Sequence, residues 1–127
     1  MTQKAEDRQA LRGLKILVVD DEFLIAVAIE DSLKEAGAEI ISAATSPDAM
    51  KIAAEAPLAA AVLDVRLGRQ TSEEVADVLA TRGIPFVFYS GQPLPENIRE
   101  KHAAAQLLMK PVNHDALIHA VTKLAGR

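Results

Sequence analysis

Apolar positions along this chain fall into short, separated runs, and several of the runs are continuous rather than alternating. Lys15-Ile16-Leu17-Val18-Val19 is the first, of the kind expected for a strand buried on both faces of a parallel sheet. Asp20-Asp21 close it, and a helix is expected from about Glu22 to Ala36 with Gly37 at the C′ position, where a left-handed backbone favours glycine. Ile40-Ile41-Ser42-Ala43 reads as a second strand. Ser46 as N-cap and Pro47 at the first helical position then open a second helix. Ala60 to Leu63 reads as a third strand ending at Asp64, followed by a polar loop from Arg66 to Gln70. Thr71 and Glu74 stand at capping-box spacing and start a third helix that stops near Arg82-Gly83. Phe86-Val87-Phe88-Tyr89 is a fourth strand leading to Ser90-Gly91, Pro95 to His102 a short helix, and Gln106 to Met109 a fifth strand. Asn113 caps a last helix that runs to about Ala125.

Strand and helix alternate throughout, which predicts an α/β domain of (βα)5 type: a doubly wound, five-stranded parallel sheet with helices on both faces. Ligands of such sheets bind beyond the carboxyl ends of the strands. The residues with chemistry to offer stand there: Asp20 and Asp21 after the first strand, Asp64 after the third, Ser90 after the fourth and Lys110 after the fifth. Three carboxylates at one sheet edge repel one another. At about 4 Å and an effective dielectric near 20, each pair costs roughly 4 kcal/mol before screening. Such a cluster persists when a cation neutralises it or when a raised pKa keeps an acid protonated, so a divalent metal site is the first hypothesis.

The chain has 127 residues, enough for one domain, which we place at 14–127 after a polar N-terminal extension at 1–13. Half of it is apolar but only 3% is aromatic, so the core must be built from Ala, Val, Leu and Ile. A net charge of −4 argues against nucleic acid as the partner. Without cysteine there are no disulfides, thiolate metal sites or thiol nucleophile, a composition compatible with a cytoplasmic location. No apolar stretch approaches a membrane span, and the lead-in from Met1 to Arg12 lacks a hydrophobic signal region.

Val18-Val19-Asp20-Asp21-Glu22, Val62-Leu63-Asp64, Phe88-Tyr89-Ser90-Gly91 and Met109-Lys110-Pro111 together resemble the signature of bacterial two-component response-regulator receiver domains, the CheY-like family, over roughly Leu14 to Ala125. The resemblance implies the flavodoxin/CheY-like strand order 2-1-3-4-5. It implies that Asp64 is the phosphoacceptor, taking a phosphoryl group from a histidine of a sensor kinase or phosphotransfer protein. Asp21 and Asp64 would bind Mg2+ (or Mn2+) directly and Asp20 through water, with the backbone carbonyl of Arg66 as a further ligand. Ser90 would hydrogen-bond a phosphoryl oxygen, Gly91 leave space beside it, and Lys110 pair with another oxygen, the bond to Pro111 being cis. Arg66 and Gln92 occupy the positions that tune hydrolysis of the acyl phosphate. The output would be phosphorylation-dependent binding of an unidentified downstream protein, a phosphorelay step or a phosphate sink, with the fourth helix, fifth strand and fifth helix offering a face for homodimers. The sequence ends just after the fifth helix, so a stand-alone receiver is the expectation.

The chain departs from the family in several places. Leu107 stands where most receivers carry an aromatic switch residue, Gly68 where Pro is common and Ser72 where Gly is common. Phe88-Tyr89-Ser90-Gly91 resembles the Phe-Ala-Thr-Gly motif of a subset that also lacks that aromatic. Tyr89, the only tyrosine, is a candidate for the missing ring, while strand alternation points it away from Ser90.

Taken singly, Asp20 or Asp21 could cap the first helix, Ser90-Gly91 could be an ordinary turn, and Asp64 or Lys110 a solvated residue at a strand end. All of these would have to coincide on one sheet edge. The run from Phe23 to Ile29 exceeds a one-sided stripe and reads equally as a docking face for a phosphotransfer helix or as a covered helix. His102, His114 and His119 share no metal-ligand spacing with the acids. Three alternatives stand beside this reading: a degenerate receiver that only binds partners, an aspartyl-nucleophile phosphatase, and a flavodoxin-like cofactor carrier. The phosphatase would want Asp-x-Asp after the first strand, and the carrier a Ser/Thr/Gly phosphate loop where Asp20-Asp21-Glu22 stand.

Overall fold

The computed structural model describes residues 10–127. Its main sheet has five parallel strands: β1 (Lys15–Val19), β2 (Glu39–Ala43), β3 (Ala60–Asp64), β6 (Phe86–Ser90) and β7 (Leu107–Met109). Their spatial order is β2-β1-β3-β6-β7, the 2-1-3-4-5 arrangement expected. The helices are α1 (Phe23–Glu35), α2 (Ser46–Glu55), α3 (Glu73–Thr81), α4 (Glu96–Lys101) and α5 (His114–Leu124). Every residue of β3 and β6 is buried, which is why the sequence shows unbroken apolar runs there.

Alternation along the strands sorts the core into two layers. Leu17, Val19, Ala61, Leu63, Phe86 and Phe88 pack under α2, α3 and α4. Ile16, Val18, Ala60, Val62, Val87 and Tyr89 pack under α1 and α5. Small residues let the helices sit close: Ala49 and Ala53 on α2 and Ala76 on α3 are fully buried.

Several local expectations are corrected. The second helix is capped by Thr45, not Ser46: Thr45 Oγ1 accepts from Asp48 N at 3.3 Å. No capping box forms at Thr71 and Glu74; Ser72 is the N-cap of α3, and Thr71 Oγ1 accepts instead from Glu73 N at 3.3 Å. The Ser72 hydroxyl is buried and has no hydrogen-bond partner among the described residues. The polar loop after Asp64 folds as a short hairpin, β4 (Arg66–Leu67) with β5 (Gln70–Thr71), turned by Gly68 at φ +63°. Asn113 caps α5 as expected, Oδ1 accepting from Ala116 N at 2.7 Å.

Residues 1–9 of the polar lead-in lie outside the described residues. Leu11, in the same lead-in, is fully buried against the α1/α5 layer, and its N–H donates to Ala36 O at 2.8 Å. Arg127 Nη1 donates to Arg12 O at 2.8 Å. On the opposite layer His102 lies edge-on to Phe86 and Phe88, with centroids 5.3 and 6.2 Å away. Its Nε2 is 2.8 Å from Asp77 Oδ1 of α3. Lys101 Nζ adds ion pairs of 2.6 Å to Glu73 and 3.2 Å to Asp77. Polar contacts thus fasten α4 to α3. No helix among the described residues is long and apolar enough to cross a membrane.

Candidate functional site

The carboxyl ends of β1, β3, β6 and β7 open on a cleft of about 440 Å³ lined by Asp21, Glu22, Asp64, Arg66, Ser90, Gly91, Gln92 and Lys110. Carboxylate oxygens of Asp20, Asp21, Glu22 and Asp64 lie within 4.8 Å of one another. The three predicted acids therefore meet, and Glu22 joins them. An all-oxygen donor set of this charge suits a hard divalent cation such as Mg2+ or Mn2+.

Each acid is held differently. Asp20 is 3% exposed and forms the floor. Its Oδ1 accepts from Glu22 N at 2.8 Å, and its Oδ2 accepts from the buried Tyr89 hydroxyl. Asp21 is exposed, and its Oδ2 accepts from Gly68 N of the hairpin turn at 2.7 Å. Asp64, 4% exposed, faces Lys110, whose Nζ is 3.3 Å from Oδ2. Burial and then the Asp20 charge push the Asp64 carboxyl up to about 6, against the opposing pull of Lys110. A single ammonium does not neutralise the cluster. Burial alone would lower the Lys110 pKa, but the charges of Asp64 and Asp20 outweigh it and hold the amine protonated.

Ser90 Oγ accepts from Gln92 N at 3.1 Å, which leaves its own proton free to donate into the cleft. A Cβ placed on Gly91 would meet nothing within 4 Å, so the cleft is open there. The Lys110–Pro111 bond is cis, and Lys110 N donates to Ser90 O at 2.8 Å. Leu107 does not reach the cleft; it pairs with Phe88 in register and is half-buried in the α2–α4 layer. His114 and His119 stand apart from the acids; His114 lies 3.9 Å from Glu35.

Tyr89 lies where strand alternation points it, away from Ser90, and its candidacy as the missing switch ring falls. It is registered beside Asp64, buried in the α1/α5 layer, with its hydroxyl on Asp20. Lys110 Nζ lies 4.9 Å above its ring centroid. The signal was parity: residues 16, 18 and 20 of one strand, 60, 62 and 64 of the next and 87 and 89 of the third share one face of the sheet.

The fold and the acidic cleft define a doubly wound α/β domain with a candidate divalent-cation site at the carboxyl edge of its sheet. The sequence matches the response regulator receiver domain family over residues 16–122, and the chain belongs to that family. It is 34% identical over 118 residues to a putative NtrX-like response regulator of Rickettsia conorii, covering 87% of this chain and 24% of that protein. To the transcriptional regulatory protein PdtaR of Mycobacterium tuberculosis it is 29% identical over 132 residues, 100% of this chain and 64% of the relative. To the phyllosphere-induced regulator PhyR of Methylorubrum extorquens it is 33% identical, covering 76% of this chain and 38% of that protein. The chain thus spans from about a quarter to under two thirds of these relatives. Among solved structures, a CheY-like receiver domain protein from Methanospirillum hungatei superposes with a TM-score of 0.80 at 24% identity, over 91% of this chain and 94% of its own. The receiver domain of the sensor histidine kinase PA1611 from Pseudomonas aeruginosa, with a magnesium ion coordinated in its active-site cleft, has a TM-score of 0.78 at 22% identity, over 91% and 99%.

Proposed function

We propose that this domain accepts a phosphoryl group on Asp64 from a phosphohistidine of a sensor kinase or histidine phosphotransfer protein, and signals by binding a protein partner or by passing the group on. The observation that carries the reading is the convergence of Asp64, Lys110, Ser90 and Asp21 in one cleft with the Lys110 amine 3.3 Å from Asp64 Oδ2. An Asp64 oxygen attacks phosphorus, the P–N bond of the donor breaks, and its electron pair stays on the departing imidazole. The product is an acyl phosphate. Lys110 sets a point charge against one phosphoryl oxygen, and the free Ser90 proton donates to another. Such transfer depends chiefly on positioning and charge stabilisation.

Asp21, Asp64 and the Arg66 carbonyl would hold Mg2+ or Mn2+, with Asp20 behind them. When bound, the ion would supply positive charge against the phosphoryl oxygens. Arg66 and Gln92, both lining the cleft, are assigned to orient or screen the hydrolytic water. Phe23 and Leu24 are 77% and 81% exposed at the start of α1, whereas Ala26 and Ile29 are buried. That apolar pair favours the docking reading of the helix and is assigned to the phosphodonor.

The test is intact mass after incubation with Mg2+ and acetyl phosphate or a phosphorylated kinase. One base-labile phosphoryl adduct on the wild type and none on Asp64→Ala is expected. An unmodified wild type under both donors refutes the reading and leaves a partner-binding module; release of phosphate from many phosphomonoesters points to a phosphatase.

A further inference from the structure

Phe86 and Phe88 show what a ring in β6 does when only packing is asked of it: both fill the α2–α4 layer. Tyr89, on the other face, carries a hydroxyl into the acidic edge. Its ring is fully buried, and a buried phenol needs a partner; here the partner is a carboxylate of the candidate cation site. Among the described residues, the Tyr89 hydroxyl is the donor to Asp20 Oδ2, while Glu22 N holds Oδ1. Two donors on two oxygens fix the plane of the carboxylate, and the outward lone pairs keep a set direction. The same ring lies under Lys110 Nζ at 4.9 Å, a distance at which an ammonium is attracted to an aromatic face. Lys110 is otherwise a long chain reaching between Asp64 at 3.3 Å and Glu22 at 3.5 Å.

We propose that Tyr89 is a positioning residue of this site, its hydroxyl orienting Asp20 for the cation and its ring seating Lys110 beside Asp64. The inference rests on the functional reading above and deepens it. Two contacts from one side chain tie the cation half of the cleft to the phosphoryl half. The halves separate by substitution: Tyr89→Phe removes the hydroxyl and keeps the ring, whereas Tyr89→Leu removes both.

The experiment measures Mn2+ affinity by electron paramagnetic resonance of the free ion and, in parallel, the rate of acyl phosphate formation from acetyl phosphate at saturating metal. Partners that orient metal ligands are typically worth about 10–100-fold in affinity, so Tyr89→Phe is expected to weaken Mn2+ about tenfold. Its phosphorylation rate at saturating metal should stay within about twofold of wild type. Tyr89→Leu should weaken Mn2+ similarly and also slow phosphorylation at saturating metal. In an Asp20→Ala background Tyr89→Phe should have no further effect on Mn2+, since the contact it removes is already gone. Thermal unfolding confirms that each variant is folded. Because the chain has one tyrosine and no tryptophan, tyrosine fluorescence of the wild type should titrate with Mg2+ at the midpoint of metal binding.

Wild-type Mn2+ affinity in Tyr89→Phe, or an effect undiminished by Asp20→Ala, overturns the proposal while leaving the phosphoacceptor reading standing. A wild type that binds Mn2+ but gains no phosphoryl group overturns that reading, and a tenfold loss in Tyr89→Phe would still support the role toward Asp20. A wild type that binds no Mn2+ overturns both.

Discussion

Replacing Asp64 by asparagine should make the metal-free protein more stable, although it removes the proposed nucleophile. Burial and the Asp20 charge raise the Asp64 carboxyl from 3.8 to about 6, so the folded chain holds that proton more tightly than the unfolded chain. Each pKa unit between the two states is worth about 1.4 kcal/mol, and ionised Asp64 therefore works against folding by about 3 kcal/mol above pH 6. The penalty is absent below the unfolded value near 4 and grows as pH rises through the window from 3.8 to about 6. Asparagine never ionises but sets an amide against Lys110 at 3.3 Å, which cuts the expected gain to about 1–3 kcal/mol. At roughly 4 °C per kcal/mol for a chain of this size, Asp64→Asn should melt about 4–12 °C above wild type near pH 8 in EDTA. The gap should close near pH 4. Far-UV circular dichroism melts at both pH values provide the measurement. Saturating Mg2+ should then favour wild type, by about 2.7 kcal/mol at a hundredfold excess over Kd, and leave the variant unmoved. A variant less stable than wild type near pH 8 in EDTA, or a gap indifferent to pH, would refute the electrostatic account of the cluster.

Changing Arg66 and Gln92 together to Ala should alter the lifetime of the acyl phosphate by at least about threefold, followed as loss of the adduct by intact mass; an unchanged lifetime removes both from the hydrolytic step. His102→Ala should cost about 2–3 kcal/mol, from lost ring contacts with Phe86 and Phe88 and the bond to Asp77. Urea unfolding would show this as a lower midpoint at constant slope, with Mg2+ affinity unaltered. Ser72→Ala should be neutral or stabilising by up to about 1 kcal/mol, because the hydroxyl it removes is buried without a partner; a clear loss of thermal stability would show that the hydroxyl is satisfied in solution.

The alternation of strand and helix, the sheet edge that carries chemistry and the meeting of Asp20, Asp21, Asp64, Ser90 and Lys110 there were legible in the sequence, whereas the strand order came from the family resemblance. The reason is physical: strands buried on both faces write continuous apolar runs, and the first polar residue after each run marks its carboxyl end. Features that depend on register or on distant partners were not. Asp20 and Tyr89 are 69 positions apart, and only the pairing of β3 with both β1 and β6 puts them on one face. The hairpin of Arg66–Leu67 with Gln70–Thr71 is too short to leave a period. His102 reads as an ordinary polar residue until Asp77 of α3 is known to face it. Caps at Thr45 and Ser46 compete between neighbours that are chemically alike, and the backbone angle decides for Thr45.

The hydrogen bond from Arg127 to the Arg12 carbonyl has a practical bearing. Arg12 precedes β1, and α5 runs back against the strands, so this contact marks the amino edge of the sheet, across the molecule from the acidic mouth. A surface tether or a fluorescent fusion attached at residue 127 points away from the cleft. Immobilised in that way, the domain keeps its acids, Phe23 and Leu24 presented to solution, an orientation suited to measuring phosphodonor capture on a sensor chip.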